Sequence, residues 1–183
     1  WDIWGKSLGL PVWRLLGGKT NPKLWAYASS LRLRSIDILR DEIDKHKENG
    51  FNAMKFKIGK DPMNWRDEIK IVEQIRAHAG DDITLMSDVN CNYAGDLKTA
   101  LEVGKALEAL GIYWYEEPLA PDDVDGYAFL KDKLNIRIAT GEADFNKYSF
   151  ARFFKRDAID IVQHDAARSA GITESRKIAD MAN

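Results

Sequence analysis

One pattern recurs through these 183 residues: a short apolar strand, a loop and an amphipathic helix. The repeat is about 25 to 30 residues, the range of stacked supersecondary units. Six strands are expected, at 24–29, 53–59, 84–90, 112–118, 137–142 and 159–165. Between them run helical spacings. Ile36, Leu39 and Ile43 follow a candidate cap at Ser35 and stop at Gly50, and Ala100, Leu101, Gly104 and Leu107 stop at Gly111. Strands alternating with helices call for a parallel sheet with right-handed crossovers, either open and doubly wound or closed into a barrel. The strand at 53–59 helps to choose. Met54, Phe56 and Ile58 share one of its faces and Lys55 and Lys57 the other. Doubly wound sheets are apolar on both faces, whereas a barrel can turn polar residues inward at its mouth. The expected fold is therefore α/β, a TIM-type (β/α) barrel. It is incomplete here at about six βα units, because a full barrel takes about 250 residues. Residues 1–20 read as a segment leading into the barrel and residues 21–183 as the partial barrel carrying strands 1 to 6.

Charge excludes several classes of partner. Twenty-seven basic and 29 acidic side chains give a net charge of −2. Neither sign gathers into a block, so neither nucleic acid nor membrane is expected as a partner. Cys91 is the only cysteine, which leaves no disulfide framework and fits a reducing, cytoplasmic setting. No apolar run is long enough to span a bilayer. The chain opens at Trp1 with a helical pattern already under way and closes inside another at 172–181. It is expected to be part of a larger protein whose remaining residues are needed for activity.

Four strands end on or near an acid: Asp88, Glu116, Glu142 and Asp165, at steps of 28, 26 and 23 residues, about one βα unit each. In a barrel the carboxyl ends of the strands meet at one rim, where active sites are built. Asp88, Glu116 and Glu142 would converge there and repel one another unless a cation sits among them. An all-oxygen ligand set suits Mg²⁺. An acid at a strand end is often only a helix N-cap or a solvated loop charge. Three in register beside a facing lysine pair argue for more. A lysine held near a second cation loses basicity and can act as a base near neutral pH, an arrangement that Lys55 and Lys57 supply. Cys91 and Asn92, just past the Asp88 strand, are placed to touch a substrate. His164 points away from Asp165 by strand alternation, and His46 and His78 are expected to be exposed on helices.

The succession Lys55-Phe56-Lys57, Asp88-Val89-Asn90, Glu116-Glu117-Pro118, Ala139-Thr140-Gly141-Glu142 and Gln163-His164-Asp165, followed by Gly171-Ile172-Thr173-Glu174, resembles the mandelate racemase and muconate lactonizing branch of the enolase superfamily. The resemblance covers essentially the whole chain. It implies that Asp88, Glu116 and Glu142 bind a Mg²⁺ that holds the substrate carboxylate and stabilises an enediolate. It implies that Lys57 is the base on one face, with Lys55 lowering its pKa and helping to neutralise the carboxylate. Asp165 would orient a histidine acting on the other face, and Asn90 would contact substrate. That histidine belongs on a seventh strand, which this sequence does not contain, and the family's separate α+β capping domain is missing as well. A proton beside a carboxylate is very weakly acidic, so its removal needs the concentrated positive charge that a metal and two ammonium groups provide.

The resemblance thus implies a Mg²⁺-dependent enzyme, a lyase that dehydrates a sugar acid to a 2-keto-3-deoxy acid. A racemase or epimerase of a 2-hydroxy acid uses the same bases and remains open. So does a non-catalytic barrel subunit, although a decayed site should have lost some of these residues. A small-molecule carboxylate substrate and a homo-oligomeric state are expected with it.

Overall fold

A computed structural model describes residues 1–19, 21–59 and 63–183, apart from the side chain of Ser30. Thr20, within the expected lead-in segment, lies outside the described residues. The elements in chain order are α1 (Asp2–Leu8), α2 (Val12–Leu15), β1 (Ala28–Arg32), α3 (Ile36–Glu48), β2 (Ala53–Lys57), α4 (Trp65–Ala79) and β3 (Thr84–Asp88). They continue with α5 (Leu97–Ala109), β4 (Trp114–Glu116), α6 (Val124–Lys133), β5 (Arg137–Thr140), α7 (Lys147–Lys155), β6 (Ile161–Val162) and α8 (Ile172–Ala182). Among the described residues, no helix is long and apolar enough to cross a membrane.

The six strands form one parallel sheet in the order β1-β2-β3-β4-β5-β6. Each crossover moves one place in the same direction, so the order never reverses as it does in a doubly wound sheet. The result is a wall of a (β/α) barrel, as the lysine-bearing face of β2 foretells. Side-chain alternation divides the core into two layers. Met54, Phe56, Leu85, Tyr115 and Ile138 face the helices and pack with Leu39, Ile43, Val72, Val103, Leu107 and Phe153. Ala53, Met86, Trp114 and Ala139 form a separate inner cluster with Tyr27, Tyr113 and Ile161. Asx caps start four of the helices: Asn64, Asp96, Asp123 and Asn146 accept backbone N–H groups of the first turn. Ser35 stands at the N-cap of α3 but makes no side-chain cap.

Strand limits differ from the sequence expectation at both ends. The first strand runs over Ala28–Arg32 and not 24–29, because Leu24 and Trp25 are exposed and the Trp25 indole N–H donates to Asn52 Oδ1 at 2.7 Å. At the carboxyl ends the strands stop early where the backbone enters the left-handed region. Asn90 and Cys91 follow β3 with φ of 52° and 61°, Glu117 follows β4 with 44°, and Gly141 follows β5 with 123°. Such residues turn the chain off the sheet toward its helix.

At the opposite end of the strands, Arg76 of α4 gathers main-chain oxygens from two loops. Its guanidinium donates to Gly80 O and Ile83 O ahead of β3, at 3.0 and 2.8 Å. It also donates to Leu110 O and Gly111 O ahead of β4, at 3.1 and 3.2 Å. Arg76→Ala should lower unfolding stability by roughly 2 to 3 kcal/mol, read from the denaturant midpoint, since several carbonyls lose a charged donor at once. Lysine, a compact ammonium in place of a planar fork, should recover less than half of that loss. A midpoint unchanged in Arg76→Ala would show that the fan is ornamental.

Candidate active site

The ladder sets the site. Parallel pairing brings Arg32 beside Lys57, Lys57 beside Asp88, Asp88 beside Glu116 and Glu116 beside Ala139, all on one level. Neighbouring strands lie about 4.8 Å apart, so two cations and two anions stand side by side across the sheet. Lys55 joins from two residues further down β2. Its ammonium donates to both Glu116 oxygens, at 2.7 and 2.8 Å. Asp88 Oδ2 lies between the two lysines, 3.2 Å from Lys55 Nζ and 3.1 Å from Lys57 Nζ. Asp88 Oδ1 accepts from the backbone N–H of Asn90, and the Asn90 side-chain oxygen accepts from Lys57. Lys55, Asp88 and Glu116 are buried.

Burying charge is costly unless each ion is paired, and here the pairing is mutual. Burial weakens the Lys55 ammonium, but the hydrogen bond and charge of Glu116, aided by Asp88, outweigh it and raise its pKa. Burial raises the Glu116 carboxyl, although hydrogen bonds from Gln163 and Lys55 oppose it. Glu116 Oε2 also accepts from the Trp114 indole at 3.1 Å. Tyr27 stacks its ring 5.9 Å from Lys55 Nζ and feels the carboxylates of Glu116, Asp88 and Glu142 together.

Glu142 and Asp165 stand on the same rim in an adjoining cavity of about 370 Å³ that Asn90, Cys91, Glu117 and Arg168 also line. Strict alternation from Ala139 would send Glu142 to the helix side, and the positive φ of Gly141 interrupts that alternation. A side chain at 141 would also meet the Phe150 ring, with a Cβ only 2.5 Å from it. Asp165 is exposed and accepts the backbone N–H of Ala167 at 2.7 Å. Among the described residues, no three His, Cys, Asp or Glu side chains are close enough together to hold a metal ion as they stand. The donor set still fits a hard cation in its chemistry: oxygen ligands only, with a buried Asp88 Oδ2 whose contacts are the two lysine charges.

Several residues of this region escape sequence reasoning. Gln163, Trp114 and Tyr27 surround the ion cluster; inward alternation from Ile161 to Gln163 and from Glu116 to Trp114 is the signal that could have found two of them, and Tyr27, ahead of β1, carries none. Glu117 is buried behind the rim with its Oε1 unpartnered, and burial together with Glu142 pushes its carboxyl up to about 7. Asn92, expected near substrate, instead donates its amide to Val89 O at 2.6 Å. The helix histidines are half-buried and not exposed: His78 meets Asp44 at 2.9 Å and His46 packs edge-on to Phe51. Each lies against a neighbouring segment that periodicity along one helix does not reveal.

Two outcomes follow for the metal-free protein. A carboxyl whose pKa rises on folding binds more protons folded than unfolded, so its stabilisation is full below the ordinary value and is lost as pH climbs to the folded value. Stability should therefore fall between pH 4.5 and about 7, and Glu117→Gln should flatten that slope in denaturant titrations. A slope equally steep in the variant would assign it to other groups. Cys91, with its thiol pushed up to about 12 by burial and by Glu117, should be alkylated at pH 8 more than about 100-fold slower than a free thiol.

Comparison with known proteins agrees with this fold. Residues 38–183 match the enolase C-terminal domain-like family. The arabinonate dehydratase of Saccharolobus solfataricus is 36% identical over 185 residues, covering 100% of this chain and 48% of that protein. A crystal structure of the 3,6-anhydro-D-galactonate cycloisomerase from Zobellia galactanivorans superposes with a TM-score of 0.91 at 40% identity, over 100% of this chain and 50% of that one. An L-talarate dehydratase from Polaromonas, solved with Mg and L-glucarate, gives 0.91 at 32% identity, over 100% and 50%. The chain spans about half the length of the curated relatives it matches. It belongs to the enolase C-terminal domain-like family.

Proposed function

We propose that the complete protein removes the proton beside the carboxylate of a sugar acid and expels a β-hydroxyl as water, yielding a 2-keto-3-deoxy acid. The observation that carries this reading is the cluster of Lys55, Lys57, Asp88 and Glu116 on adjacent strands, with Glu142 on the same rim. Dehydratases of sugar acids among the relatives support it. Asp88, Glu116 and Glu142 would hold Mg²⁺. When bound, the ion supplies positive charge to the substrate carboxylate and to the negative charge that builds as the proton leaves.

Exposure divides the lysines. The Lys57 side chain is 41% exposed and that of Lys55 8%, so Lys57 is the one able to meet substrate and serve as the base. Lys55, bound below, keeps the carboxylates compensated. Asn90, whose side-chain oxygen accepts from the Lys57 ammonium, would also contact substrate. Asp165 would orient a histidine from a part of the protein beyond this chain. Racemisation or cycloisomerisation starts from the same proton removal and parts from dehydration only afterwards. A cytoplasmic homo-oligomer acting on a small carboxylate belongs to this reading.

The test uses the complete protein with Mg²⁺ and a panel of acid sugars in D₂O, following the α-proton by NMR and the products by keto-acid assay. Lys57→Ala should slow exchange on its face by about 100-fold or more while Mg²⁺ affinity stays within about twofold, and chelation should stop exchange altogether. Full-rate exchange in Lys57→Ala would leave that lysine a binding residue only. Exchange without keto-acid would favour racemisation, and no Mg²⁺ binding would favour a non-catalytic subunit.

A further inference from the structure

Glu68, on the first turn of α4, is a buried carboxylate outside the ion cluster, only 1% exposed. Both of its oxygens lie 2.9 Å from the backbone nitrogen of Gly59, and Oε2 also accepts from the Tyr93 hydroxyl at 3.3 Å. Gly59 is two residues past Lys57. Tyr93 is three past Asn90. The carboxylate thus ties the loop leaving β2 to the loop leaving β3 from the helix side of the sheet.

Gly59 makes that tie close. Its φ is +83°, and a Cβ there would stand 2.8 Å from Val89 Cγ1 and 3.0 Å from Asn92 Cβ. The segment after Lys57 therefore rests directly on the residues that bracket Asn90. Ile58 N–H continues the ladder by donating to Asp88 O at 2.9 Å. Burial and Glu68 both push the Tyr93 hydroxyl up, so it remains a proton donor. A charge-assisted hydrogen bond to a main-chain amide is short and directional, suited to fixing a backbone and not merely filling space.

We propose that Glu68 is a positioning residue for Lys57: by holding Gly59 against Val89 and Asn92, it sets where the Lys57 ammonium meets Asp88 and Asn90. Its effect on rate rests on the proton-abstraction reading above, whereas its effect on geometry does not. Misplacing a reacting group by about 1 Å can cost about 100-fold in rate, so a strut of this kind should act on turnover more than on binding.

Three variants of the complete protein test this: Glu68→Ala, Glu68→Gln and Tyr93→Phe. In crystal structures, Glu68→Ala should shift Lys57 relative to Asp88 by about 1 Å. Hydrogen exchange at the Gly59 amide should accelerate at least tenfold. With an acid sugar that exchanges its α-proton, kcat should fall about 100-fold while KM and Mg²⁺ affinity stay within about twofold. Glu68→Gln, which keeps one acceptor for Gly59, should recover at least a tenth of wild-type kcat, and Tyr93→Phe should lose less than Glu68→Ala. Lys57 unmoved in Glu68→Ala would overturn the proposal, as would kcat within twofold of wild type. So would parallel losses of kcat, KM, metal affinity and thermal midpoint that glutamine fails to rescue, since those describe a fold element only. If no acid sugar exchanges a proton in the wild-type protein but Lys57 moves in Glu68→Ala, the functional reading has failed and the positioning role stands.

Discussion

The register of one parallel ladder governs everything that happens at the rim. Lys57, Asp88 and Glu116 become neighbours because their main chains pair residue for residue, not because their side chains seek one another. A slip of one residue between two strands would turn one partner toward the helices and strand a charge in an apolar layer. Backbone hydrogen bonds thus carry the cost of assembling like charges. The side chains only compensate it, lysine against carboxylate. Deep in the sheet the compensation has to be nearly complete, and Lys55 with its two contacts to Glu116 shows how it is done.

Two core layers support that register from opposite sides. The helix-facing layer is large, aliphatic and aromatic, and it fixes the strands against the helices that follow them. The inner layer is small, with alanines on β2 and β5 opposite Met86 and Trp114. Trp114 belongs to both structure and chemistry: its ring fills the inner layer while its N–H reaches Glu116. Polarity therefore increases toward the carboxyl ends of the strands without any break in packing below.

Much of this is legible in the sequence because period-2 alternation is a rigid consequence of extended backbone. The opposing faces of β2 follow from Met54, Phe56 and Ile58 against Lys55 and Lys57, and the structure keeps them. Asp88 and Glu116 are found the same way, as strand-ending acids one βα unit apart. Reading fails where the backbone leaves the extended region. Glu142 lies beyond Gly141, whose positive φ removes the parity that would have predicted its direction. Asn90 and Cys91 are left-handed in succession, so the contact of Asn90 with Lys57 has no sequence signature. The first strand was displaced because Leu24 and Trp25 look like strand residues yet sit in the open. Glu68 escapes for another reason: a glutamate in the first turn of a helix is commonplace, and only its burial sets this one apart.

Arg76 hydrogen-bonds the loops ahead of β3 and β4 through main-chain oxygens. An interaction of that kind is blind to the side chains on the segments it fastens. The side chains of Ile83 and Leu110 answer instead to the core that they pack into, while their carbonyls answer to the guanidinium. The opposite end of the same strands has no such separation, because there the side chains themselves are the contacts. One end of the wall is thus fastened through its backbone and the other through its side chains, so the two ends answer to different kinds of substitution.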